Sequence, residues 1–170
     1  MREILFRGKR KDNGEWIENH TVVELRYGQK YIPNNSAPSG LKIDENGNRV
    51  SFVALFHEVI PETVGQFTGM FDGTKWEQLT EEEQLDWLKN HTIDEWNGRM
   101  IFEGDIIDCW SEGINAQGAV QQRIDGLWII YPAWQNQQFW GLCPNRNGST
   151  SVKIIGNIHD NPELLKGGAE

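Results

Sequence analysis

Arg99-Met-Ile-Phe-Glu-Gly-Asp-Ile-Ile-Asp108 is the stretch on which the reading of this chain turns. Two apolar β-formers, a Glu-Gly-Asp corner and two more β-formers predict strand, tight turn, strand. Gly104 supplies a backbone that takes positive φ without the steric cost a Cβ would bring. More than forty residues on, Ser151-Val-Lys-Ile-Ile-Gly-Asn-Ile-His-Asp-Asn-Pro-Glu-Leu-Leu165 carries a second run of β-formers and then a turn. We expect these two stretches to pair and to close one small β-barrel.

Working outward, hydrophobic alternation predicts a strand over 2–8, and Asn13-Gly14 is a preferred hairpin turn. A returning strand is expected over 15–23, anchored by Trp16 and Val22. Residues 33–40 and 44–48 read as loop and turn, because Pro, Gly, Asn and Ser break periodic structure. Apolar residues over 51–60 predict a buried strand or a short helical turn followed by a strand, and 63–68 a further strand. Thr80-Glu-Glu-Glu83 is a helix start. The Thr80 side chain can cap, and Glu83 can reach back to the Thr80 N–H. The helix is expected over 81–90, on the periphery, because acids outnumber apolar residues in it. Strands are predicted over 106–110, 119–124 and 127–131, the last two as a hairpin about Asp125-Gly126. Two more strands, 139–143 and 152–158, and a helical turn over 161–165 complete the pattern.

Composition bounds the function. The chain has 170 residues, 38% hydrophobic, with eight Trp, seven Phe and three Tyr, enough for a core. The net charge of −9 opposes nucleic-acid binding, which needs clustered cations. Residues 77–95 hold seven acids against Lys89. No apolar run reaches the ~20 residues that span a membrane. The first residues lack the apolar core of a signal peptide, so a cytosolic protein with reduced thiols is expected.

Four stretches in order support a family. Met1-Arg-Glu-Ile-Leu-Phe-Arg7, Thr63-Val-Gly-Gln-Phe-Thr-Gly69, Ile101-Phe-Glu-Gly-Asp-Ile106 and Ile155-Gly-Asn-Ile-His-Asp-Asn-Pro-Glu-Leu164 together resemble the YopX family of phage and prophage proteins of Gram-positive and other bacteria. The resemblance implies a phage origin and a cytosolic setting. It implies no reaction and carries over no catalytic residue. In the family the Thr-Gly stretch runs through a brief turn into the Glu-Gly-Asp strand. Here Phe71 to Gly98 intervene, and they mark an insertion that holds the acidic helix.

Candidate chemistry is sparse. Glu103 and Asp105 flank a turn, where acids accept backbone N–H bonds or face water. His20, His57, His91 and His159 have no metal-ligand spacing. Cys109 and Cys143 read as small buried thiols. No phosphate-binding loop is present. We therefore expect no catalytic, metal or cofactor site. The uncharged segment 128–140 is the most suggestive. Its Trp128, Tyr131, Trp134, Phe139 and Trp140 are partner-binding candidates, since Trp and Tyr are enriched in binding hot spots. Alternation should bury Trp128, Ile130 and Trp140 and turn some of Ile129, Tyr131, Trp134 and Phe139 away from the core.

These readings converge on a mainly β protein of two small packed lobes. The N-terminal lobe is expected over 1–70, the acidic helical insertion over 71–98, and an SH3-like β-barrel over 99–170. The expected function is a protein-binding or self-assembling accessory module, a homo-oligomer with Tyr131 and Trp134 near the contact. The alternative is an acidic DNA mimic that inhibits a host nucleic-acid enzyme through residues 77–95.

Overall fold

The computed structural model describes residues 4–25, 27–33, 56–111, 114–131 and 139–165. They form two compact units, 1–67 and 68–170. The fold is mainly β, as the sequence predicts.

In the first unit, strands β1 (Phe6–Lys9) and β2 (Trp16–Asn19) form the hairpin expected around Asn13-Gly14. The returning strand stops early. The Asn19 side chain accepts the Thr21 N–H at 3.2 Å, and this local turn diverts the chain. Val23–Glu24 (β3) pairs instead with Lys30–Pro33 (β4), which pairs with Phe56–Val59 (β5). The expected loop and turn over 34–48, and the first half of the apolar run 51–60, lie outside the described residues. Strand β6 (Gly65–Phe71) begins in this unit, where Gly65 and Gln66 pair with β1. Ile32 and Val59 are fully buried beside Gly8, where a Cβ would sit 3.0 Å from Ile32 and 3.2 Å from Val59.

The second unit holds the end of β6, a short helix and a five-stranded sheet. Helix α1 (Glu81–Trp87) starts as predicted. Thr80 Oγ1 accepts the Glu83 N–H at 3.3 Å, and Glu83 Oε2 accepts the Thr80 N–H at 2.8 Å. It ends at Trp87 with Leu88 as its C-cap, short of the expected Asn90, and none of its residues is buried.

The central stretch folds as read. Met100–Phe102 (β7) turns through Gly104, φ 84°, into Asp105–Ser111 (β8). Ile114–Gln122 (β9), Trp128–Tyr131 (β10), Trp140–Gly141 (β11) and Lys153–Asn157 (β12) follow. The spatial order is β11-β10-β9-β8-β12, all antiparallel. The two stretches singled out in the sequence do pair: Asp105 faces Asn157, and Ile107 faces Ile154.

The expected barrel does not close. Among the described residues β11 pairs only with β10 and β12 only with β8. Closure requires strand tilt and a fixed stagger carried by continuous ladders. Here one end strand has only two residues, and the other is interrupted by a bulge between Ile154 and Gly156.

The core packs on one face of the five-stranded sheet: Ile107, Cys109, Val120, Trp128 and Ile130 from the sheet meet Met70 of β6, Ile101 of β7, Leu142 and Val152. The opposite face is also covered near its centre. Ile106, Ala119 and Ile129 are buried there, and the C-terminal 3-10 turn, Pro162–Leu165, packs against β9. That is why β10 reads as an unbroken apolar run rather than an alternating one. Ile129 points away from the core cluster, yet it is buried.

Candidate functional site

The end of β6 organises the second unit through one carboxylate. Asp72 is 1% exposed. Its Oδ1 accepts the Arg99 N–H at 2.8 Å and the Thr74 N–H at 3.0 Å; its Oδ2 accepts the Thr74 hydroxyl at 2.7 Å and the Ile154 N–H at 3.4 Å. Asp72 therefore ties the approach to β7 and the strand β12 to its own turn. A buried carboxylate with this many donors is a structural hub, since its lone pairs are occupied.

Next to that hub lies an open cleft of about 720 Å³. One wall is aromatic. Trp76 and Trp96 meet edge to face at 6.0 Å between centroids, and Trp87 meets Trp96 at 5.0 Å and 89°. Trp87 stacks on His91 at 4.0 Å. The rings are held in place: Trp96 Nε1 donates to the Thr74 carbonyl at 3.0 Å, and Trp87 Nε1 donates to the Thr92 carbonyl at 2.9 Å. Trp76 and Trp96 both line the cleft and stay half-buried.

The rest of the lining includes the turn Asn145–Ser149 and the residues after it, paired with the backbone of 71–73. Asn145 Oδ1 accepts the N–H groups of Asn147 at 2.9 Å and Ser149 at 3.1 Å. The Phe71 N–H donates to the Gly148 carbonyl, and the Thr150 N–H donates back to the Phe71 carbonyl. Asn147, Ser149 and Ser151 thus present side chains on a pinned backbone, with no side-chain partner among the described residues.

Electrostatics around the cleft come from the acidic segment. The Thr80 N–H, then the Arg99 guanidinium and the Thr80 hydroxyl, hold the Glu83 carboxyl below its usual range. The Glu83–Arg99 ion pair is 2.7 Å. The Thr92 N–H and hydroxyl hold Glu95 low in the same way. These two acids are engaged in capping, while Glu81, Glu82 and Asp86 are exposed.

The sequence candidates fall in different places. Trp128 is buried in the core, with its Nε1 unpaired among the described residues. Tyr131 and Trp140 are half-buried. Phe139 is exposed beside β11, with the Arg123 guanidinium 4.6 Å from its ring centroid. Trp134 lies outside the described residues. The Glu-Gly-Asp corner is structural: buried Asp105 accepts the Phe102 N–H at 2.8 Å, and Glu103 is exposed. Cys109 is buried as expected, but Cys143 is exposed, because it follows the sheet's short end strand. Among the described residues, no three His, Cys, Asp or Glu side chains gather as metal ligands. None of the described helices is long and apolar enough to cross a membrane.

The cleft residues escaped the sequence reading. Its one available signal was the recurrence of Trp at 76, 87 and 96 inside a segment otherwise dominated by acids.

The geometry defines a mainly β protein whose second unit joins an open, doubly covered sheet to a Trp-walled cleft. A sequence model described as YopX protein matches residues 74–166, more than half of the chain, and the chain belongs to the YopX family. The match includes α1, the central Glu-Gly-Asp corner and the Gly-Asn-Ile-His-Asp-Asn-Pro-Glu stretch. The two N-terminal stretches lie before it. A comparison with curated proteins returned no similar sequence.

Proposed function

We propose that this chain is a non-catalytic binding module, of the accessory kind its family resemblance to phage proteins implies, and that the cleft beside Trp76 and Trp96 is its binding site. One observation carries the reading. The buried carboxylates Asp72 and Asp105 are committed to backbone donors, whereas the cleft offers the half-buried faces of the pinned Trp76 and Trp96 rings and the Asn147 amide, which has no internal partner among the described residues. Groups held still and left unpaired favour recognition, because little ordering entropy remains to be lost on binding. A ligand screen followed by NMR tests it. Binding should shift the indole N–H signals of Trp76 and Trp96 and the side-chain amide of Asn147. Shifts confined to other regions would refute it.

A second reading is self-association at the β11 end of the sheet. The exposed Phe139 beside an end strand of two residues favours it. Light scattering across dilution should then show a mass that rises with concentration and falls back in Phe139→Ala. A constant monomer mass removes this reading.

A further inference from the structure

We propose that the cleft takes a neutral oligosaccharide. This rests on the reading of the cleft as a binding site and names its ligand class. The depression, about 720 Å³, is shallow and open to solvent, so it suits an extended ligand laid on its surface rather than a small molecule enclosed by it.

The chemistry of the walls selects among ligands. A sugar ring has one CH-rich face and a rim of hydroxyls that both donate and accept. The half-buried rings of Trp76 and Trp96 offer apolar surface to the first. The Asn147 amide and the Ser149 and Ser151 hydroxyls match the second, because amides and hydroxyls also do both. Both walls are set before a ligand arrives. Trp96 is fixed by its bond to Thr74, and the Asn147–Ser149 backbone by Asn145.

Other classes fit less well. An anion needs clustered cations, and Lys75 on the cleft is matched by Glu77, in a chain of net charge −9. A peptide laid along a backbone edge needs unpaired N–H groups. Here the N–H groups of Phe71, Asp72, Gly73 and Thr150 are bonded to Gly148, Arg99, Val152 and Phe71.

Chitotriose and maltotriose, at millimolar concentrations, are the probes, followed by calorimetry and NMR on the full chain. At least one should bind with shifts at Trp76, Trp96 and Asn147. Asn147→Ala removes a side chain with no internal partner, so its melting temperature should stay unchanged. It should weaken binding ~5-fold, the size of one neutral hydrogen bond. Trp76→Ala should weaken it further. If neither trisaccharide binds but pentapeptides from a random library do, and Asn147→Ala weakens them, the saccharide class is overturned while the cleft stands. If no saccharide or peptide binding responds to Asn147→Ala or Trp76→Ala, both readings fall.

Discussion

Replacing Asp72 by Ala removes the acceptor shared by three short hydrogen bonds, two from backbone N–H groups and one from the Thr74 hydroxyl. Each buried donor left unsatisfied costs ~1–3 kcal/mol, with the upper part of the range applying to a charged acceptor. Three such donors would cost ~3–9 kcal/mol if none found a new partner. The Arg99 N–H is only part-buried, and water can enter beside the cleft, so the expected loss is about 3–5 kcal/mol. That is a large share of the ~5–15 kcal/mol that holds a domain folded. Asp72→Asn should cost less, about 1–2 kcal/mol. The amide oxygen keeps the Arg99 and Thr74 N–H bonds and the Thr74 hydroxyl rotates to accept from the new NH₂, while the long Ile154 N–H bond to the same position is lost. Urea unfolding followed by tryptophan fluorescence measures both, because only Trp16 of the eight Trp lies before residue 68. A loss below about 1 kcal/mol in Asp72→Ala, or a larger loss in Asp72→Asn than in Asp72→Ala, would refute the hub.

Gly98→Ala should destabilise the second unit by more than ~3 kcal/mol, since φ there is 110° and a Cβ would lie 2.2 Å from the Asp72 carbonyl oxygen; wild-type stability in urea would contradict this. Acid should loosen the segment around α1 before the rest of the unit. Glu83 and Glu95 are held low by bonds to Thr80 and Thr92, so their caps are intact above the ordinary carboxylate range near ~4.3 and are lost as pH falls through the depressed values. The Trp87 and Trp96 signals should report that step below about pH 4, and a step that persists unchanged in Glu83→Gln and Glu95→Gln would refute its assignment.

Local chemistry determined much of this protein from sequence alone. The Asn13-Gly14 and Asp125-Gly126 turns, the Thr80–Glu83 cap and the strands around Gly104 were legible because each depends on residues within a few positions. The pairing of the Ile101–Asp108 stretch with the Ile154–Asn157 stretch was legible too, from matching runs of β-formers. What escaped depends on residues far apart. The sheet stays open because of a two-residue strand and a bulge, neither of which has a composition signal. Ile129 points away from the core cluster, as alternation predicts, and is buried all the same, which alternation by itself does not tell. Asp72 looks like an ordinary turn acid in sequence. It becomes a hub because Arg99 and Ile154, distant along the chain, bring their N–H groups to it. The cleft is of the same kind: Trp76, Trp96 and Asn147 face one space only after β6, the helical segment and the 145–151 turn have docked, and sequence carries no record of a distance closed by packing.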